Sequence, residues 1–313
     1  MVSVSVPGKV ILMGEHAVVY GKPALVTAIN RRMTISIEGR SHDDAPPKTH
    51  EHSSYINHIL RICEQACHID LIDTVKLHIS SSIPSGYHLG SSGSLAAGIV
   101  GAVFLHAGIP FDEERMIDIA QLAENFIHTT SSGVDPAIAF TGGLLFYQKK
   151  SDGTRILRRL SSDHLSVMNH FFLLDTGKPK ESTGTMVSHV ALMAKEKNAL
   201  VKAYMDENEK QTMRLVHAIE QTDERELISA MIRGEETLEG MGVVSPKVIS
   251  CIREIEKAGG SAKITGGGGK SGGVGFMVCY HTDRTVIETI AEGFKFSVSS
   301  VVIGDEGLRI EKK

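Results

Sequence analysis

The stretch from Val75 to Leu105 limits the fold more than any other part of the chain. Val75, Leu77 and Ile79 alternate with polar residues, the period of a half-buried strand, so residues 74–82 are expected to be a strand. It runs into Ile83–Ser94 (IPSGYHLGSSGS) and then into Leu95–Leu105, which is apolar on nearly all sides and rich in Ala and Gly. A helix that is apolar all round must be buried, and small residues let it pack closely. The first N–H groups of a helix have no partner within it. With Gly and Ser ahead of the helix, those donors and the helix dipole suit a phosphate. Ser91 and Ser92 add hydroxyls for a phosphate or a phosphate-bound cation. A glycine-rich turn with a serine helix cap is the other reading, and the segment alone allows both.

Composition narrows the class. At roughly 100–200 residues per domain, the 313-residue chain should form about two domains or one large one. Apolar residues are 42% and charged residues 22%, which excludes a disordered, collagen-like or coiled-coil chain. With 33 Lys and Arg against 37 Asp and Glu, the net charge of −4 offers no basic excess for a polyanion, so no nucleic-acid partner is expected. Leu95–Leu105 is the longest strongly apolar run, short of the roughly 20 residues that cross a bilayer. The opening residues, MVSVSVPGK, lack the pattern of a signal peptide. The expectation is a soluble, cytoplasmic protein with no membrane partner. Cys63 and Cys67 stand one helical turn apart beside His68, while Cys251 and Cys279 are remote. Reduced thiols are expected over a metal site, since structural zinc needs four ligands at more typical spacings.

Along the chain, residues 2–6 alternate as a strand, Pro7-Gly8 breaks it, and Val10–Met13 is an apolar run. Ala24–Ile29 and Met33–Ile37 read as two further strands. Ser41–Ser53 carries His42, Asp43, Asp44, His50 and His52, and is expected to be a solvated loop rather than a metal site. Helices are expected at Ser54–Ile69 and Asp112–His128, and a turn and strand at Gly142–Tyr147. Polar Lys149–Ser162 is the candidate domain boundary, giving domains 1–160 and 161–313. The second half reads as strand Phe171–Leu174, helices Thr183–Ala203, Glu207–Gln221, Glu224–Met241 and Pro246–Ala258, strands Ala262–Thr265 and Gly275–Tyr280, helix Asp283–Gly293 and strand Ser297–Ile303. Strands and helices do not strictly alternate, so the class is α+β.

Three more segments could carry chemistry. Thr265–Gly273 (TGGGGKSGG) invites comparison with a phosphate-binding P-loop, but the first glycine of that pattern would fall on Ile264, and a strand follows rather than a helix. The P-loop reading is rejected, although the tract could still wrap a ligand. Glu124 and Asp135 bracket a turn; Glu124 could hold a metal and Asp135 could contact a substrate hydroxyl, or each could be a surface or capping carboxylate. Lys9, with Glu15 and His16, lies at the first strand pair, where a lone lysine is usually solvated.

Taken together, these segments resemble the GHMP-superfamily small-molecule kinases. Pro7–Ala24 (PGKVILMGEHAVVYGKPA) closely resembles the opening of mevalonate kinases; galactokinases share Gly-Glu-His but continue differently. Ile83–Ser94 resembles the family's ATP loop, Glu124 to Asp135 has the family's metal-to-base spacing, and Thr265–Gly273 falls where its third glycine motif belongs. The resemblance covers most of the chain. It departs at His88, which replaces a loop glycine and either adds a donor over the phosphates, crowds the backbone or points to solvent. It departs again at Gly93, where Ala is usual, at His128–Gly133 (HTTSSG), which lacks the family's Gly and Pro, and at the extra Lys270-Ser271.

The resemblance implies a two-domain GHMP kinase fold. Its N-terminal domain is like the second domain of a small-subunit ribosomal protein, its C-terminal domain is ferredoxin-like, and the active site lies between them. It implies ATP and Mg2+ as cofactors and phosphorylation of the 5-hydroxyl of mevalonate in isoprenoid precursor synthesis. By position, Asp135 and Lys9 would be catalytic. Pro84, Gly86, His88, Leu89, Gly90, Ser91, Ser92, Gly93 and Ser94 would bind the nucleotide, and Ser92 and Glu124 the metal. Glu15, His16, Ser182 and Thr183 would face the substrate. Family members are often homodimers, a state this sequence leaves open. The alternatives are a GHMP kinase for another small alcohol, a sugar or phosphomevalonate, and a non-catalytic ligand-binding relative. The loop containing Thr129–Ser132, where the substrate should lie, brings no cation for a second phosphate, which favours an unphosphorylated acceptor.

Overall fold

The structure is a computed structural model that describes residues 1–40, 53–127, 131–161 and 168–312. The His- and Asp-rich residues 41–52 lie outside it, so the expectation of a loop there has no structural counterpart.

Two antiparallel sheets organise the chain. The first is built on β1 (Val2–Met13) and β2 (Ala24–Gly39), joined through a single 3₁₀ turn at Ala17–Tyr20. Pro7-Gly8 does not end the first strand. The ladder continues through a shift of register there, which a bulge absorbs. The two strands expected between Ala24 and Ile37 are likewise one. Along its far edge β2 pairs first with β4 (Leu144–Lys149) and then with β3 (Val75–Ser81). Within the candidate boundary Lys149–Ser162, the described residues form a turn and β5 (Arg155–Leu160), whose partner is β4. The second sheet has the order β7 (Ser261–Ile264), β8 (Phe276–Tyr280), β6 (Phe171–Asp175), β9 (Ser297–Ser300). The chain's last strand, β10 (Arg309–Ile310), returns to β1 of the first sheet, and Arg32 fixes this return through Asp305 at 2.7 Å and the Gly307 carbonyl at 2.7 Å.

Helices cover the sheets. α1 (Ser54–Cys67), α2 (Ser91–His106), α3 (Glu113–Glu124) and α4 (Val134–Thr141) pack with the first sheet. α2 begins four residues before the expected Leu95, so the serines of the loop form its first turn. Its glycines have the predicted purpose: a Cβ on Gly98 would lie 2.7 Å from Ile35 of β2. Sequence reading missed α4, in whose first turn Pro136 is tolerated because the early N–H groups need no helical partner. α5 (Thr183–Glu196) and α6 (Asn198–Gln221) part at Lys197, not near residue 204 as expected. Val201, Met205, Asn208, Thr212, Leu215 and Ile219 form one buried stripe, at helical spacing, through the expected gap. α7 (Glu224–Gly240), α8 (Pro246–Lys257) and α9 (Arg284–Phe294) complete the chain. Cys63 and Cys67 are free thiols on α1, as are Cys251 and Cys279 elsewhere. Among the described residues no helix is long and apolar enough to cross a membrane.

Candidate active site

The end of β1 and the loop into α2 meet backbone to backbone. The Lys9 amide donates to the Leu89 carbonyl at 3.0 Å, and Ser94 Oγ donates to the Pro7 carbonyl at 2.8 Å, so the first turn of α2 is tied to β1 at two points. Gly90 ends the loop with φ +80, a conformation open to glycine. A Cβ there would meet the Lys9 side chain at 2.7 Å, so glycine is also what leaves room for the lysine. α4 starts the same way, from Gly133 at φ +81. The N-termini of α2 and α4 thus converge, with Asp135 on the first turn of α4 and Lys9 beside it. Lys9 Nζ lies 3.3 Å from Asp135 Oδ1, and the lysine side chain is 6% exposed.

These groups line a cleft of about 570 Å³. Lys9 reaches it from β1, Glu15 and His16 from the turn after β1, and Gly86, His88, Gly90, Ser91 and Ser92 from the ATP-loop segment. Glu124, Asp135, Ser182 and Thr183 line it too, together with Gly266 and Gly267 of the third glycine tract. Four expected loop residues support the site from behind. Leu89 is fully buried, Ser94 is spent on Pro7, Gly93 lies under Asp135, and Pro84 sits outside the lining. His128, Thr129 and Thr130 lie outside the described residues, while Ser131 and Ser132 line the cleft.

The electrostatics are uneven. Glu124 is buried and accepts a hydrogen bond from Ser131 Oγ at 2.9 Å. Burial first, and then the neighbouring Asp135 charge, push its carboxyl up to about 8. Glu15 is fully enclosed and ion-paired with Lys263, whose ammonium also donates to the Ile264 carbonyl at 2.6 Å. Burial raises the Glu15 carboxyl and Lys263 opposes the rise. His16 is lowered to about 4, chiefly by burial, and its Nε2 bonds the Gly267 carbonyl at 3.2 Å. That carbonyl can only accept, so the neutral ring carries its proton on Nε2. His88 turns to the same tract: Nε2 lies 3.0 Å from the Gly268 carbonyl and Nδ1 3.2 Å from Thr183 Oγ1.

Sequence reading missed several groups. Lys263 and Glu235 are buried beside Glu15, but a lysine in a strand reads as exposed. Lys178 and Lys180 also line the cleft, and a Cβ on Gly86 would lie 2.8 Å from Lys178 Cε. Among the described residues no group of three or more His, Cys, Asp or Glu side chains is gathered as a metal site.

Fold and cleft together are those of a small-molecule kinase of the GHMP class, and residues 54–143, from α1 to the turn before β4, match the family of GHMP kinases N terminal domains. The chain is 30% identical to a mevalonate kinase of Methanothermobacter thermautotrophicus over 85% of its own length and 87% of the relative's. It is 28% identical to one from Pyrococcus abyssi over 100% and 98% of the two chains. The crystal structure of the Methanococcus jannaschii mevalonate kinase superposes with a TM-score of 0.77 at 22% identity, covering 97% of this chain and 98% of that one. The chain belongs to the mevalonate kinase family, and the α+β GHMP kinase fold expected from its motifs is the fold it has.

Proposed function

We propose that the chain transfers the terminal phosphoryl group of ATP to the 5-hydroxyl of mevalonate, giving 5-phosphomevalonate for isoprenoid precursor synthesis. The Lys9–Asp135 pair, held between two helix N-termini on the cleft, carries this reading. The ATP phosphates lie at the first turn of α2, against Gly90, Ser91 and Ser92, where free N–H groups and the helix dipole favour an anion. The acceptor enters along His16, Ser182 and Thr183. An alcohol is too weakly acidic to ionise unaided, so Asp135 takes its proton as the new oxygen–phosphorus bond forms. The bond to the bridging oxygen of ATP breaks, and ADP leaves with that electron pair. Lys9 offsets the negative charge developing on the attacking oxygen. Phosphoryl transfer asks mainly for alignment and charge neutralisation, which these residues offer.

The residues fit Mg2+. Glu124 is a buried carboxylate whose ionisation is opposed by burial and by Asp135, a cost that a divalent cation would offset. Ser92 and Glu124 would hold it, and when bound it would neutralise phosphate charge. Lys178 and Lys180 supply cations that the stretch around Ser131 lacks. Lys178 sits against Gly86, on the nucleotide side, which favours an acceptor without a phosphate of its own. We also propose a division into residues 1–160 and 161–313. Each sheet draws its long strands from one half, which supports it, although β10 crosses back. A cytoplasmic enzyme without a nucleic-acid partner completes the reading, and the net charge of −4 supports the latter part.

A coupled assay of ADP release over mevalonate, phosphomevalonate, galactose and homoserine tests the function. Turnover with mevalonate well above the others is the expected result. Turnover confined to another alcohol, or absent with all four, overturns it.

A further inference from the structure

His88 stands where the family's ATP loop has glycine, at φ +65, a backbone conformation that glycine adopts without strain. Its ring bridges the third glycine tract and the start of α5, two segments also joined where Glu181 accepts from the Lys270 amide at 3.3 Å and from Ser271 Oγ at 3.0 Å. Nε2 lies 3.0 Å from the Gly268 carbonyl, and Nδ1 lies 3.2 Å from the hydroxyl of Thr183. The fit is close on every side. A Cβ on Gly266 would fall 2.8 Å from His88 Cβ, and one on Gly267 would fall 3.2 Å from His88 Cε1 and 3.1 Å from Thr183 Cα. The ring is therefore clasped between the glycine tract and the N-terminus of α5.

Hydrogen-bond polarity then follows from the partners. A carbonyl only accepts, so Nε2 must carry the proton that meets Gly268. In the neutral ring the other nitrogen is then a bare acceptor, and the proton of the Thr183 hydroxyl must point at it. Thr183 lines the cleft, and with its one proton committed to His88 it offers the cleft lone pairs only.

We propose that His88 is a positioning residue that fixes the Thr183 hydroxyl as a hydrogen-bond acceptor for a hydroxyl of the phosphoryl-accepting substrate. The arrangement selects an alcohol at this point of the cleft and disfavours a carboxylate or phosphate oxygen, which would face lone pairs with lone pairs. The inference rests on the kinase reading of the site. It gives the loop's departure from glycine a purpose on the acceptor side rather than over the ATP phosphates.

The test combines kinetics and spectroscopy at pH 8. His88→Gly should leave the protein folded, since relief of the left-handed backbone offsets part of the loss of the ring's two hydrogen bonds. It should raise the KM for mevalonate by at least about fivefold, the worth of one neutral hydrogen bond, with the KM for ATP within about twofold. Thr183→Val should do the same, Thr183→Ser should retain most of the affinity, and the double variant His88→Gly/Thr183→Val should be little worse than either single one, as for residues in direct contact. A mevalonate KM unchanged in His88→Gly, an equal rise in the KM for ATP, or additive effects would overturn the inference. The nitrogen chemical shifts of the His88 ring give a readout that needs no turnover. The Nε2–H tautomer, with an Nδ1 shift that moves in Thr183→Val, is expected. The Nδ1–H tautomer, or an Nδ1 signal indifferent to Thr183→Val, sinks the proposal even if the wild type phosphorylates mevalonate. Conversely, a wild type inactive on every alcohol would count against the kinase reading while the ring tautomer still decided the His88–Thr183 geometry.

Discussion

The Lys9 ammonium and the Asp135 carboxylate face each other at 3.3 Å, one on β1 five residues before Gly14 and the other on the first turn of α4. Asp135 is partly open to the cleft, with a side chain 23% exposed, whereas Lys9 is nearly enclosed. The pair is thus anchored on its lysine side and presented on its aspartate side, which suits a base that must meet a substrate proton. Positioned general bases contribute about 10²–10⁴-fold, so Asp135→Asn should lower kcat at least about 10²-fold with mevalonate still bound. Lys9→Met should do similar damage. The double variant should be little worse than the worse single one, because groups acting as a unit are strongly non-additive. Steady-state kinetics on folded protein check this, and a kcat for Asp135→Asn within about threefold of wild type would falsify the assignment.

Gly93 makes that approach possible. A Cβ at this position would lie 2.5 Å from Asp135 Cβ and 3.0 Å from Glu124 Oε1. Alanine, the usual residue in the family's pattern, therefore has no room in this chain without moving Asp135. Gly93→Ala should cost about 1–3 kcal/mol of stability by overpacking. Displacing the base by even about 1 Å should lower kcat on the order of 10²-fold. Thermal melts and turnover numbers measure the two effects separately, and a variant as active as wild type would show that the neighbouring helices yield freely.

Lys9, Glu124, Asp135 and the Ser91-Ser92 turn were legible as one site through the family resemblance, because taken singly the lysine reads as solvated and each carboxylate as a surface or capping group. The strand-to-buried-helix segment was readable for a different reason: its periodicity changes from two to all-round apolar. What escaped has physical causes. α4 is eight residues long, with Pro136 in its first turn and glycines at both ends, so local signals read as a turn. β10 is two residues held by Arg32 and by its ladder to β1, and nothing in its own sequence asks for a strand. Lys263 is a charge inside a sheet, and the carboxylate that pairs with it, Glu15, comes from a segment remote in the chain. His88 was expected above phosphates, above the backbone or in solvent, and its bond to Thr183 depends on a tertiary contact across 95 positions.

Glu124 carries a pH dependence that can be measured without substrate. Burial and the Asp135 charge raise its folded-state carboxyl from an ordinary 4.5 to about 8. The folded protein therefore binds this proton more tightly than the unfolded chain does. Its contribution is fully present below about pH 4.5 and is lost as pH rises through about 8. Glu124→Gln should remove that slope and stabilise the metal-free protein at pH 8 by roughly 1–3 kcal/mol, the cost of an uncompensated buried polar group. Mg2+ held by Glu124, as proposed, would compete with the proton for that carboxylate, so its stabilising effect on the wild type should grow with pH and vanish in Glu124→Gln. Urea melts at pH 5 and pH 8, with and without Mg2+, decide the matter; parallel curves for the two proteins would mean that Glu124 is not the titrating group.

Lys263 is expected to be the costliest single cation to remove, because three buried charges depend on one another. Its ammonium pairs with Glu15 and donates to the Ile264 carbonyl at 2.6 Å, while Glu235 accepts the Ile264 amide at 3.1 Å. Burial raises both carboxyls and Lys263 is the main group opposing the rise. One oxygen of each carboxylate, Glu15 Oε2 and Glu235 Oε1, has no hydrogen-bond partner. The ammonium is thus the chief compensation for two buried acids. Breaking a buried pair by removing one partner typically costs about 3–5 kcal/mol, so Lys263→Met should be destabilised by about that much at pH 8. Without the cation both folded-state carboxyls rise further above their unfolded value. The proton-linked stability is then present at low pH and lost as pH rises, so the deficit of Lys263→Met should be smaller at pH 5 than at pH 8. Glu15→Gln added to Lys263→Met should recover a large part of it at pH 8, since the second change removes the stranded charge. The cluster joins the end of β1 to β7, directly beneath His16 and the glycine tract. The double variant should therefore regain stability before it regains activity, because His16 and Gly267 would still lack their fixed support. Denaturant midpoints and kcat/KM measured on the same preparations test both halves, and a Lys263→Met protein with a wild-type midpoint at pH 8 would show that the ion pair contributes nothing to holding the two sheets together.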